Sequence, residues 1–343
     1  MMMYKNRNMT LRNLISGLAL LIMLQTNAFP QSGIEPSEIE RVGQSGWQFL
    51  KINGDPRQAS LGGTFMASSN PTANSVFGNP ALIAWIENYD IQFNNVSWLA
   101  DIQYTSLAVA RSFKGIGTFA LSYVSLNYGD IPETIHSAIQ GGGTVPLVTG
   151  ETFTAGDMAI GLSFAKQITE QLALGGSARY LNEEIAGTGM SNWSLDFSTI
   201  YYTGLRSLRL AITVRNFGPD AQMVGYNEAL QSEPVDVRMP LELRGGIAYD
   251  WLDGDSSPHL LTTILEARVP SDGKEKIHFG TEYSYHNHFS VRGGYRFNYD
   301  EEGLTLGVGL HFPVSGFDCV LNYAYLDYGS LNQVNMLSFG LAF

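Results

Sequence analysis

Gly115-Ile116-Gly117-Thr118-Phe119-Ala120 has the spacing of a dinucleotide-binding turn, in which small residues let backbone amides approach a pyrophosphate. That chemistry needs a helix after the turn. Here alternating residues predict a strand on either side, so a plain hairpin turn is expected. Asp253-Gly254-Asp255 offers oxygen ligands but lacks the twelve-residue calcium series closed by Glu. His286 and His288 flank Asn287, whereas zinc needs three or four ligands, and no further Cys or His cluster is near in sequence. Glu183-Glu184 and Glu301-Glu302 would need burial to raise one carboxyl for acid–base work; both pairs fall in expected loops and read as solvated. Cys319 is the single cysteine, on the apolar side of an alternating strand, and reads as a small hydrophobe. No Gly-x-Ser-x-Gly elbow is present. No catalytic, metal or cofactor site is expected, and the chain is read as non-enzymatic.

The charged residues follow a different logic. Only 15% of residues are charged, against a usual figure of about 25%. By strand parity, Asp157, Arg179, Asp196, Arg209, Arg215, Glu242, Arg244, Glu266, Arg268, Glu282, Arg292, Arg296 and Asp318 share the face opposite the bulky apolar residues. Opposite signs recur on neighbouring strands, which predicts a lumenal charge network. Lys166 is the one expected outward cation, at a strand end where a long side chain can snorkel.

The elements that place these charges are strands. Met158, Ile160, Leu162 and Phe164 alternate with Ala159, Gly161, Ser163 and Ala165. Leu304, Leu306, Val308, Leu310 and Phe312 alternate with Thr305, Gly307, Gly309 and His311. Period two marks a strand with unlike faces. Such segments fall at 90–98, 101–113, 115–128, 152–167, 171–183, 192–202, 207–216, 241–250, 258–269, 276–285, 289–297, 304–312, 317–327 and 335–343. Fourteen is an even number, as expected of a single-chain bacterial outer-membrane barrel. Connections expected on one side are mostly tight, while the two longest, 129–151 and 217–240, fall on the other. The polar face is rich in Gly, Ala and Ser, which suits a crowded lumen. An Arg or Lys facing mid-bilayer lipid would cost roughly 2–4 kcal/mol, so bulky apolar residues are expected to face lipid. Trp193, Tyr201, Tyr285, Phe289, Phe297, Phe312 and Tyr325 are candidates for the interfacial girdles.

At the N-terminus, Lys5, Arg7 and Arg12 precede an apolar run over 14–24 and the small-residue site Thr26-Asn27-Ala28, the layout of a secretory signal peptide. The run is short of the ~20 residues a spanning helix needs. Cleavage there would take the net charge from −12 to −15. So acidic a chain is a poor partner for nucleic acid. The expected organisation is a signal peptide over 1–28, an N-terminal plug over 33–89 and a transmembrane antiparallel β-barrel over 90–343. The plug segment carries Pro36, Pro56, Pro71 and Pro80 and no long alternation. A structureless stretch of that length is expected to be buried by the fold, and the lumen is its simplest home.

Gln48-Phe49-Leu50-Lys51-Ile52, Leu61-Gly62-Gly63, Asn79-Pro80-Ala81, Trp98-Leu99-Ala100-Asp101-Ile102, Ala155-Gly156-Asp157 and Asn216-Phe217-Gly218-Pro219 occur in that order. In these the chain resembles the PorV/PorQ family, itself related to the FadL-type long-chain fatty acid channels. The resemblance runs from about Gly46 to Phe343. It implies a fourteen-stranded barrel with its N-terminal segment inside, and a part in type IX secretion. PorV-like proteins hold cargo bearing a C-terminal sorting domain and pass it to the surface machinery. The partners implied are outer-membrane lipid, such cargo and other secretion subunits. The alternative is a FadL-like channel for long-chain fatty acids or other hydrophobic small molecules. That channel predicts an apolar pocket near the plug.

Overall fold

The computed structural model describes residues 43–64, 71–138, 144–222, 236–252 and 257–343. The expected signal peptide, the first part of the plug segment and several loop tips lie outside these residues. Period-two alternation gives each segment one face of large apolar residues and one of small or charged residues, and each such segment forms a strand. β1 (Tyr89–Ser97), β2 (Gln103–Phe113), β3 (Gly117–Ala138), β4 (Thr144–Gln167), β5 (Leu172–Ile185), β6 (Thr188–Tyr202) and β7 (Arg209–Phe217) make the first half. β8 (Glu242–Asp250), β9 (His259–Pro270), β10 (Lys276–Tyr285), β11 (Phe289–Phe297), β12 (Leu304–Val314), β13 (Phe317–Asp327) and β14 (Gln333–Ala342) make the second. Each pairs antiparallel with its sequence neighbours, and β1 pairs with β14, so the sheet closes on itself and has no free edge around the barrel.

Burial alternates along the strands. Leu121, Leu162, Phe197, Ile212, Phe279, Leu306 and Leu337 are exposed on the outer wall, while their neighbours in sequence are buried inside. A soluble barrel would carry polar residues there; this one presents a continuous apolar belt, and so it spans a membrane with its strands. No helix among the described residues is long and apolar enough to cross.

Three features depart from expectation. Residues 129–138 and 144–151, expected as loop, are strand: β3 and β4 continue past the barrel as a two-stranded arm, bulged between Asn127 and Asp130 and again between Pro132 and Thr134. β5 and β6 likewise extend, and meet in the short turn at Ala186 and Gly187, both at positive φ. Glu183 and Glu184 therefore lie in β5 and not in a loop. Finally, Arg111 is exposed on the outward face of β2, a second outward cation beside Lys166.

Inside the barrel lies the plug. Pro56–Ser60 forms one helical turn, α1, capped by Asp55, whose carboxylate accepts from Arg57 N at 3.0 Å. Its other described residues include three 3-10 turns (Gln48–Lys51, Ala73–Phe77, Pro80–Trp85). The lumenal glycines make room for this chain. A Cβ at Gly280 or Gly294 would fall within 3 Å of Leu61 or Gly62 backbone atoms, and one at Gly175 would fall 2.5 Å from Ala81 N.

Candidate functional site

Asn79, Pro80 and Ala81 sit against the β5–β6 wall. The Asn79 side chain accepts from Ala81 N at 3.1 Å, and the same amide donates to Ser198 Oγ at 2.8 Å. Proline at the first helical position has no N–H to leave unpaired. On the opposite wall, Gly62 N donates to Thr305 Oγ1 (2.9 Å), which donates to Ser60 O (3.0 Å). Gly62 and Gly63 both hold positive φ, so their carbonyls turn toward Arg268, His278 and Arg296.

The lumenal charges gather into four groups. Arg179 donates to Asp196 (2.6 Å) and to Asn216 Oδ1 (2.9 Å), with Arg215 3.8 Å from the same carboxylate. Arg209 pairs with Asp250 at 2.5 Å, a carboxylate that also accepts from Thr262. Glu282 lies between Arg57 of the plug (2.8 Å) and Arg292 (2.5 Å), and Arg292 reaches Asn322 Oδ1 at 2.8 Å. Glu242 pairs with Arg244, Glu266 with Arg268, and Arg296 with Glu302.

Two residues of the sequence-based set stand apart. Asp157 is buried, but its partner is the Tyr128 hydroxyl at 2.6 Å. Asp318 is no member of a buried network: it sits at the tight-turn rim with its side chain 60% exposed, 3.5 Å from His311. Inward parity put it on the correct face, but β13 opens to water at that end. Of the other candidates, Gly115 and Gly117 form the β2–β3 turn with a strand after it. Glu183 accepts from Trp47 N at 3.3 Å and Glu301 from Ser330 N at 2.9 Å, so neither is a bare surface group. His288 Nδ1 approaches the His311 carbonyl at 3.1 Å.

Among the described residues, two vestibules lie on either side of the plug. The one at the tight-turn end is about 630 Å³ and is lined by Asp55, Arg57, Trp85, Asp90, Glu282 and Arg292 among others. Burial pushes the Asp55 carboxyl up, against the lowering effects of the Arg57 amide, Arg57, Arg292 and Asn74.

The vestibule at the long-loop end is about 610 Å³ and has two unlike walls. Phe49 and Ile52 of the plug, Trp98 and Ile102 after β1, and Leu126 and Tyr128 of β3 make an apolar wall. Arg244, Arg268, Lys276 and Arg296 line the facing wall beside His278, with the carboxylates Glu242, Asp272, Asp300 and Glu302 among them. Tyr328 bridges the two. Its ring meets Trp98 edge-on at 5.4 Å, and its hydroxyl accepts from Arg296 at 3.2 Å. Burial, with Glu302 nearby, pushes its hydroxyl pKa up to about 12 despite Arg296. Lys276 Nζ lies 3.4 Å over the Tyr299 ring, whose hydroxyl is 2.9 Å from His278 Nε2.

A strap, residues 45–51, crosses this mouth. Gly46 N donates to Arg238 O (3.0 Å), and Lys51 donates to Asp272 at 2.6 and 2.7 Å. Ser45 and Gln48 donate to the same carboxylate. Burial alone would raise Asp272; these donors outweigh it and hold the group below the ordinary carboxylate range. The motifs quoted from the sequence contain Phe49, Ile52, Trp98 and Ile102, but sequence reasoning did not assemble them with Leu126 and Tyr128 into a wall or single out Asp272, because the residues come from four separate connections and strands and carry no shared period.

No family model matches the chain, and no curated protein matches it in sequence. Solved structures do. The toluene transporter TodX of Pseudomonas putida superposes with a TM-score of 0.54 at 12% identity, over 84% of this chain and 97% of that one. The toluene transporter TbuX of Ralstonia pickettii gives 0.53 at 12%, over 85% and 98%. The monoaromatic hydrocarbon channel CymD gives 0.53 at 12%, over 85% and 98%. At such identity the likeness shows the fold alone, a closed fourteen-stranded antiparallel barrel.

Proposed function

We propose that this protein binds amphipathic hydrophobic small molecules, such as long-chain carboxylic acids, and passes them across the outer membrane without chemical change. One observation carries the proposal: the long-loop vestibule sets an apolar wall opposite one that carries Arg244, Arg268, Lys276 and Arg296 among four carboxylates. Ligand sites combine apolar lining with a few placed polar groups. An acyl chain fits against Phe49, Trp98 and Leu126 while its carboxylate meets the Arg268, Lys276 and Arg296 side. The transport described for TodX and TbuX supports the same direction. The test is equilibrium titration of purified protein with oleate. Saturable binding is expected, weakened about tenfold, or 1.4 kcal/mol, by Trp98→Ala or Lys276→Gln. No saturable binding by the unaltered protein would overturn the proposal.

A second function, holding secreted proteins at the surface, draws on the PorV/PorQ resemblance and on one structural feature. The β3–β4 arm carries exposed Ile135, Val145, Leu147 and Val148 beyond the barrel, a surface on which another protein could pack. In a strain lacking the gene, unchanged localisation of proteins with a C-terminal sorting domain would reject it.

A further inference from the structure

The chain is acidic overall, yet one sector of its tight-turn rim is basic. Arg111 on β2, Lys114 in the β2–β3 turn, Lys166 at the end of β4 and Arg206 in the β6–β7 turn are all exposed. Glu170 is the carboxylate in the described turns of that sector. Register places Arg111 beside Phe119, Phe119 beside Phe164, and Lys166 two residues past Phe164 on the same outward face. None of Arg111, Lys114 or Lys166 takes part in the ion pairs of the described residues. The Arg111 guanidinium instead lies 4.8 Å from the Tyr89 ring centre and 4.7 Å from that of Phe113, held at the edge of the aromatic belt.

An independent feature marks the same sector. Its three consecutive turn tips expose Ile116 (56%), Ile168 (54%) and Leu205 (69%). Turns in water carry polar residues at their tips. Apolar tips between cations suit a headgroup layer, where side chains reach the acyl boundary from above and charged heads stay among phosphates.

We propose that this sector, from β2 to β7 at the tight-turn end, binds anionic phospholipid headgroups. The phosphodiester and the headgroup charge accept from Arg111, Lys114 and Lys166, and the acyl chains lie along Phe119, Leu121, Leu162 and Phe164. Arg111, Lys114, Lys166 and Arg206 against the exposed Glu170 and, just before β1, Glu87 favour a lipid with net negative charge over a zwitterionic one. The site is separate from the vestibule and does not depend on what the vestibule binds.

The test is native mass spectrometry of the full chain, released from detergent in the presence of phosphatidylglycerol or phosphatidylethanolamine with matched acyl chains. Each surface cation contributes roughly fivefold in binding to an anionic lipid surface. Wild type should retain phosphatidylglycerol at least tenfold better than phosphatidylethanolamine. Arg111→Gln/Lys114→Gln/Lys166→Gln should lose that preference, and Arg238→Gln, at the opposite end, should keep it. Should the triple variant fail to fold, Lys114→Gln/Lys166→Gln, which leaves the Arg111 stacking intact, should lose a large part of it. Equal retention of the two lipids by wild type would overturn the proposal. So would an undiminished preference in the folded variants.

Discussion

Glu282 shows how single residues hold the plug. It is buried between Arg57 of α1 and Arg292 of β11, and its two oxygens accept from both. Removing the carboxylate charge leaves two guanidinium groups in the interior with less compensation, which costs roughly 3–5 kcal/mol for a buried pair. Glu282→Gln is therefore expected to lower thermal stability in detergent and to speed proteolysis of the plug. Equal melting of variant and wild type would contradict this. A second residue-scale prediction concerns contact distance. Gly294→Val would drive a side chain into the Gly62 backbone, so the plug should be displaced while the strands still close. The expected signature is increased protease cleavage within 53–63 with unchanged strand content by circular dichroism. The Glu282–Arg292 contact was legible in the sequence because the two residues share a face and stand opposite in register. The Arg57 contact was not, because 225 positions separate it from Glu282 and the plug has no period.

At the scale of elements, the strap is held by a titratable tie. Asp272 is held below the ordinary carboxylate range by Lys51, Ser45 and Gln48. A depressed carboxyl contributes stability that is present above the unfolded pKa of about 4 and lost as pH falls through the lower folded value. Asp272→Asn should then lower the melting temperature at pH 7, and the difference from wild type should shrink as pH falls below about 4 and on through the lower folded value. A pH-independent difference between the two would refute this assignment. The arm is the other element of interest. Gly129, Pro132, Pro146 and Gly150 read as loop in sequence, since proline and glycine weaken central strands. Beyond the barrel, β3 and β4 have no third strand beside them, so Pro132 and Pro146 are tolerated and blunt the edges. A two-stranded ribbon adds little to the barrel it leaves. Replacing 130–154 with a short turn should leave heat-modifiable gel migration unchanged, whereas an unfolded barrel would show that the arm is needed for folding.

For the whole molecule, the sequence carried the barrel and its two faces because a pleated strand in lipid has no freedom in its pattern. Most bulky residues face lipid and most small or charged ones face the lumen; Tyr104, Leu181, Ile264 and Met336 are buried on the inner face, and Arg111 and Lys166 lie on the outer one. What it did not carry was the path of the plug and the composition of the vestibule. Those arise where a glycine-lined wall meets an irregular chain, as at Ser60 and Thr305, 245 positions apart. The ligand proposal rests on that assembled space. Its most direct test is photo-labelling of the protein in nanodiscs with a diazirine-bearing long-chain fatty acid, followed by peptide mapping. Labels are expected on Phe49, Trp98, Ile102 and Leu126 and should disappear when excess oleate is added. Labels confined to outward positions such as Leu121 and Phe197, unaffected by oleate, would contradict a binding site inside the barrel.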